Sequence, residues 1–532
     1  MERSETLATC QRSGNSSRRL WFCYVKKGIV SLKDPEPPST VRRTRLLVAF
    51  RKHRFLLAAF LIPLGIRAIP EILVGPYPIG WDTIAFYVPN TLDWAAGKAG
   101  LAEIVGTAPL MYMISVPVYL LSRVNPVWIF KIMGPVLYGS MILALFRFLR
   151  IGLKWPDKQA LGGALLTSLY FVTLRVSWDM YRNMLGLTFI LLGLPLIEDL
   201  KGVRNQALLS VLVVLAVASD QLTGVIALVL VGTKALISLR RRRRDEFVGI
   251  VKVALPGTVL FFATVYTGLI MTGVGLVGEQ APVPTLNSLG LNLGFLAYAY
   301  LALVPLVLIG LRRVPNLELR IWSFFCIGIV LTALLPFFGP VVQSYRWSLL
   351  LDIPLCIFAT AGLYKLVESA HSEIGWSRTL NRLVLPIFSA LLILSAVSYI
   401  ALPAQQAAVF YTAYPEQLPT SMVQDTIPMS DLGNLRALLD SAAARIGPAT
   451  VLITHQAIYG WARAYLPSLN DRIINYKYNS PLTGVEIART DGYSSILMIW
   501  WTNGNGWHNQ PYVPSGFQTL LASGDMALYT YN

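Results

Sequence analysis

The chain has 532 residues, 55% of them hydrophobic and only 14% charged, with a mean hydropathy of +0.55 and a net charge of +17. Soluble domains carry about 25% charged residues, so an ordinary soluble globule is excluded and a polytopic α-helical membrane protein is expected. The excess of positive charge falls in clusters between apolar runs, which is the pattern of membrane loops, and no nucleic-acid partner is expected.

Residues 1–54 read as a basic cytoplasmic tail with no apolar region ahead of a cleavage site. Span one, 55–74, then acts as an uncleaved signal anchor. Runs long enough for a hydrocarbon core of roughly 30 Å follow at 126–147, 159–177, 183–199, 205–219, 221–239, 249–272, 291–311, 320–338, 347–367 and 383–402. Together they predict eleven helices in a membrane domain, 55–402. The segment "APLMYMISVPVYLLSR" (108–123) is ambiguous. If it does not cross, the basic clusters at Arg147–Lys158, Lys201/Arg204, Arg240–Arg244, Arg312/Arg313 and Lys365/Arg378/Arg382 all share the side of the tail. If it crosses, they all move to the opposite side. The positive-inside rule selects the first arrangement. It makes 108–123 a juxtamembrane or re-entrant helix within a first extracytoplasmic loop, 75–125. The run Arg240–Arg244 suits anionic membrane lipids as well.

This topology gathers the polar residues of the membrane domain on the extracytoplasmic face. They are Asp82 in "PYPIGWDTIAFYVP", Asp179 and Arg182 in "WDMYRN", Asp220–Gln221, and Tyr345–Arg346 in "QSYRW". Ionisable groups at membrane depth are costly and mark functional sites. Asp82 also begins a stretch that an aspartate could cap as a helix N-terminus, so capping is its plain structural reading. For Arg182 and Arg346 the structural readings are snorkelling to the interface or pairing with Asp179 and Asp220. The small-residue patches at 161–166 and Gly268–Gly278 suit close helix packing or a lipid groove. The Pro- and Gly-rich loop 274–290 suits a gate.

After residue 402 the membrane-length runs stop. A helix is predicted over 429–447, buried strands over 449–455 and 493–501, and a final edge strand over 526–532. The segment 403–532 therefore reads as an extracytoplasmic α/β domain. His455 and His508 have no nucleophile motif beside them and read as structural. "GWARAYLP" and "GWHNQPY" suit sugar stacking and membrane docking equally.

The order of elements resembles the GT-C superfamily of membrane glycosyltransferases, which includes protein O-mannosyltransferases, aminoarabinose transferases and oligosaccharyltransferase catalytic subunits. "GWDTIAFY" matches the position of the family's essential acid in the first outer loop. "TAPLMYMI" is similar to its "HPPLYYLL" helix, with Thr-Ala in place of His-Pro. "SWDMYRNMLGL", "SDQLTGVI" and "YRWSLLLDIPLCIFATAGL" look like segments of prokaryotic and archaeal proteins of this type. The loop has no Asp-X-Asp and no adjacent Asp-Glu pair, and the C-terminal part has no "WWDYG"-like motif. These departures set the oligosaccharyltransferase subgroup aside in favour of a monosaccharide transferase.

The resemblance implies transfer of a sugar from a polyprenyl-phosphate (dolichyl-phosphate) donor to a glycan, lipid or protein acceptor. Asp82 would be the general base. Trp81 and Tyr87 would line the sugar, and Asp179, Arg182, Asp220, Gln221, Tyr345 and Arg346 would bind substrate, the arginines taking the phosphate. A divalent cation, Mg or Mn, could be held by Asp82 with Asp179 and Asp220, although no spacing demands one. Two other functions compete. A lipid or solute transporter calls for inverted repeats and midplane charges, and neither is visible. A non-enzymatic scaffold or cell-surface assembly subunit would use the outer domain for binding.

Overall fold

The structure, a computed structural model, describes residues 39–200, 202–272, 286–332, 344–372, 376–402, 418–477, 479–502 and 513–531. The predicted gate at 274–290 and His508 fall largely or wholly outside these residues. The chain divides into two units, Met1–Arg54 and Phe55–Asn532. The Asp82 loop, the sheet and every span from Phe55 onward lie in the second.

The protein is a mostly helical, multi-pass membrane protein with a small sheet at its C-terminal end. Seven helical stretches among the described residues are long and apolar enough to cross a bilayer: His53–Leu73, Pro126–Ile151, Gln221–Arg240, Arg244–Thr267, Gly290–Arg313, Tyr345–Ser369 and Leu383–Ala401. An eighth is the pair Asp157–Leu169 and Phe171–Asp179, bent by 67°. The difference from eleven has local causes. The run at 159–177 is broken at Tyr170, whose ψ of 132° is extended. The 205–219 run is the short helix Val203–Ser219. The Tyr181–Glu198 helix carries Arg182 and Glu198 at its two ends, and the 320–338 run is described only as far as Thr332. Leu110–Ser122 has 13 residues and spans roughly 20 Å, short of the hydrocarbon core.

Lipid tails are as apolar as leucine, so hydrophobic burial does not drive these helices together. Close packing and buried polar links must do so. Pro126–Ile151 and Tyr345–Ser369 are central, each with 72% of its apolar window buried. His53–Leu73, Arg244–Thr267 and Leu383–Ala401 are peripheral, at 28%. The patch at 161–166 serves packing: a Cβ on Gly163 would touch Leu149, Thr360 and Trp155 at 3.1 Å.

The main polar link joins the first span to the rest. Arg67, fully buried, donates to the Ser177 carbonyl at 2.8 Å, the Trp178 carbonyl at 3.4 Å, the Tyr181 hydroxyl at 2.9 Å and Glu71 at 3.0 Å. Those carbonyls are the open end of the Phe171–Asp179 helix, which has no partners of its own there. Lys131 completes the link by donating to Glu71 Oε2 at 3.0 Å, the Glu71 carbonyl at 2.8 Å and the Tyr77 carbonyl at 2.6 Å.

The C-terminal sheet has the order β2-β1-β3-β5-β4, with β1 Thr450–Thr454, β2 Ile473–Asn475, β3 Ser495–Trp501, β4 Phe517–Ser523 and β5 Met526–Tyr531. The first three strands are parallel, and β5 runs antiparallel to both β3 and β4. The two apolar runs predicted as strands are β1 and β3, buried along nearly their whole length, as strands covered on both faces must be. The last strand is not an edge. The hairpin at Gly524 folds the exposed β4 outside it, and the alternation of "FQTLLAS" was too weak to announce that strand. Helices Leu432–Ala443, Gln456–Tyr465 and Pro481–Thr490 cover the sheet.

Removing one partner of a buried charge network leaves the others uncompensated. The Arg67→Met variant should therefore lose about 3–5 kcal/mol of stability, and Arg150→Gln, which breaks an exposed pair with Asp157, at most about 1 kcal/mol. Denaturant unfolding in detergent measures both.

Candidate functional site

Asp82 sits where the first loop enters a π-helical turn, Thr83–Tyr87. The approach is fixed by Gly80. Its φ of +85° and its contact with the end of the Phe171–Asp179 helix leave no room for a side chain, since a Cβ would lie 2.8 Å from that of Asp179. The Gly80 amide and the Trp178 indole both donate to the Gln424 carbonyl, each at 3.2 Å. One carbonyl from the 418–428 segment thus ties the two site loops together.

Asp82 does not cap the turn: its side chain makes no cap hydrogen bond. It instead accepts from Arg346 Nη2 at 3.0 Å, with side chains 13% and 18% exposed. Arg346 also donates to the Tyr345 hydroxyl at 3.3 Å. Burial pushes the Asp82 carboxyl above its ordinary value. Arg346 pulls it down, Asp179 raises it, and Arg175 and Arg182 lower it. Asp82, Asp179 and the three arginines form one electrostatic cluster with an excess of positive charge.

The other predicted residues divide into two groups. Asp179 is buried and paired with Arg175 at 2.6 Å rather than with Arg182. Arg182 is half-buried and donates Nε to the Ser219 carbonyl at 3.3 Å; it forms no ion pair among the described residues. Its charge acts on Asp82, Tyr87 and Tyr112. Trp81 is half-buried beside the acid. Tyr87 points into the core, stacked between Phe130 and Tyr181 with both centroids at 5.6 Å, and its hydroxyl donates to the Asp179 carbonyl at 3.1 Å. Asp220 caps the Gln221–Arg240 helix through the amides of Leu222 at 2.9 Å and Thr223 at 3.2 Å, and accepts from Asn183 at 2.8 Å. Gln221 donates to the Gly106 carbonyl at 3.4 Å. His455 accepts from the Ala457 amide at 3.2 Å as a helix cap.

These partners do not suit a divalent cation. Asp82 is held by Arg346, Asp179 by Arg175 and Asp220 by backbone amides. No group of three or more His, Cys, Asp or Glu side chains able to hold a metal occurs among the described residues.

The sequence reading passed over Glu71, Lys131, Arg67, Arg175 and Asp425. Four of them carry charge inside apolar helices, a signal that was available. Asp425 is buried, and one oxygen accepts from the Thr426 amide at 2.5 Å while the other has no hydrogen-bond partner among the described residues. Burial holds its carboxyl well above the ordinary range. A groove of about 490 Å³ runs between the first span and Pro126–Ile151, lined by Leu64, Ala68, Ile72, Trp128, Ile132 and Val136. Its polar wall is the Glu71–Lys131 pair.

No protein-family model and no curated protein matches the chain. Among solved structures it is similar to ArnT from Cupriavidus metallidurans bound to undecaprenyl phosphate. That match covers 92% of this chain and 98% of that one, at 12% identity and a TM-score of 0.47. It is also similar to the Archaeoglobus fulgidus oligosaccharyltransferase in complex with Zn and sulfate, over 82% of this chain and 67% of that one, at 11% identity and a TM-score of 0.42. At these scores the chemistry must be read from the residues of the site itself.

Contacting, partly desolvated charges couple by about 0.5–3 kcal/mol in double-mutant cycles. The cycle of Asp82→Asn and Arg346→Gln, read by denaturant unfolding, should fall in that range. Strict additivity would contradict the pairing.

Proposed function

We propose that this protein transfers a sugar from a polyprenyl-phosphate carrier to an acceptor hydroxyl, with Asp82 as the general base. The observation that carries the reading is the state of Asp82. A largely buried carboxylate, free of any capping duty, faces Arg346 at 3.0 Å, and the guanidinium of Arg182, which is in no ion pair among the described residues, acts on the same spot.

The reaction asks little else of the chain. Asp82 accepts the proton of the acceptor hydroxyl. The acceptor oxygen forms a bond to the anomeric carbon as the bond from that carbon to the phosphate oxygen breaks. The electron pair leaves with the phosphate, whose added charge Arg182 meets through its terminal nitrogens. Arg346 keeps Asp82 ionised and aimed. Trp81, half-buried beside Asp82, is the aromatic side chain placed to line the sugar. Tyr87 serves as a strut, because its ring is stacked inside the core. The apolar groove beside the first span suits the isoprenoid chain of the donor. On charge distribution the basic tail is cytoplasmic, and the Asp82 loop and the 403–532 segment lie on the opposite side.

Two outcomes follow in isolated membranes supplied with radiolabelled polyprenyl-phosphate sugars. Asp82→Asn should lower transfer by about 10²–10⁴-fold, the usual contribution of a positioned base; transfer at the wild-type rate removes Asp82 from the mechanism. The base works only when ionised, so activity should be lost as pH falls through the raised pKa of Asp82, above the ordinary value of about 3.9. Arg346 lowers that pKa, so Arg346→Gln should move the acid limb to higher pH. A limb that stays in place contradicts the assignment.

A further inference from the structure

We infer that the outer helix Gln456–Tyr465 is a positioning element for Asp82, and that Gln456 and Gly460 are its working residues. As a role in catalysis this rests on the glycosyl-transfer reading; as a mechanical clamp it does not.

The helix lies directly on the π-turn that Asp82 enters. A π-turn closes its hydrogen bonds from i to i+5 rather than i+4, and such turns are frequent at functional sites. Here the partner is supplied from the sheet unit. Gln456 Nε2 donates to the Ala85 carbonyl at 3.0 Å, more than 370 residues away in sequence. The amide is itself held, since Gln456 Oε1 accepts from Asn475 Nδ2 at 2.6 Å. One turn further on, Gly460 meets the same backbone. A Cβ there would overlap the Ile84 carbonyl. Glycine in a helix interior is destabilising relative to alanine, so it is a poor residue for the helix and a necessary one for the contact.

Two further links stop the helix from sliding. Arg463, with its side chain 4% exposed, pairs with Asp93 at 2.6 Å and donates to the Tyr459 hydroxyl at 2.6 Å. Trp461 donates its indole to Thr426 Oγ1 at 2.8 Å, which in turn donates to the Ala457 carbonyl at 2.8 Å. Thr426 is two residues from Gln424, whose carbonyl receives Gly80 and Trp178. The outer helix therefore holds the chain on both sides of Asp82. It grips Ile84 and Ala85 directly and Gly80 through the 418–428 segment. With the backbone fixed at both flanks, the carboxylate is kept within reach of Arg346, 3.0 Å away.

The test uses the full chain in nanodiscs and compares wild type with Gln456→Ala and Gly460→Ala. Amide hydrogen exchange is read by mass spectrometry for peptides covering 82–90 and for the β1 strand Thr450–Thr454. Loss of one net hydrogen bond is worth about a fivefold change in the opening equilibrium. Exchange in 82–90 should therefore rise at least about that much in Gln456→Ala, and more in Gly460→Ala, with β1 unchanged. In transfer assays both variants should also move the acid limb to higher pH, as Arg346→Gln does, because Asp82 drifts off the arginine. A merely structural contact would lower the amount of active protein without moving the limb. Wild-type exchange in 82–90 of Gln456→Ala, or a rise there matched in β1, overturns the clamp. A wild type that moves no sugar, together with the expected exchange pattern, overturns the transfer reading and leaves the clamp standing. A limb that stays put while 82–90 loosens overturns the positioning role.

Discussion

A charge removed from water must find a counter-charge or a set of hydrogen bonds, or else give up its charge. The Arg67–Glu71–Lys131 link is this protein's answer at the first span. Arg67 satisfies the open carbonyl end of the Phe171–Asp179 helix, and Lys131 satisfies the Tyr77 carbonyl on the way to Asp82. The ends of two polypeptide segments are thereby brought to one place. Without that link, apolar packing alone would leave the helix break at Met180 and the loop at Tyr77 free to separate, since lipid competes equally for their apolar faces.

The same rule shapes the site one step outward. Asp82 and Asp179 lie next to each other in the electrostatic cluster, and each takes its own arginine, Arg346 and Arg175. Burial, and then repulsion from Asp179, push the Asp82 carboxyl up, while the arginines hold it down. Beside them stands a third arginine, Arg182, which is in no ion pair among the described residues. That asymmetry separates the site from a set of structural ion pairs, in which every charge would be matched.

Much of this was legible in the sequence because lone charges beside apolar runs stand out. Asp82, Asp179, Arg182 and Arg346 all lie at helix ends, where charge and turn signals coincide. The pairing between them was not legible. Spacing suggested Arg182 for Asp179, three residues away, yet Arg175 four residues earlier takes it, because the helix ends at Met180 and turns Arg182 away. Asp220 looked like a ligand for the same reason it is a cap: both roles ask for an acid at the start of a helix. Arg67 and Lys131 stand as visible charges inside apolar runs, but their partners lie on other segments and cannot be read from spacing. The bend at Tyr170 was missed too, since apolar composition alone does not record a change of direction. The role of Gly460 was out of reach, because its reason for being glycine is a carbonyl more than 370 residues away.

The central claim is that the cluster around Asp82 is built to hold a lipid-linked phosphate. It is tested most directly by native mass spectrometry of the intact protein with added polyprenyl phosphate, comparing wild type, Arg182→Gln and the distant Arg150→Gln. A hydrogen bond to a charged group is worth about 1.5–3 kcal/mol, so Arg182→Gln should weaken retention of the lipid by roughly tenfold or more while Arg150→Gln leaves it unchanged. Equal retention by wild type and Arg182→Gln would contradict the account.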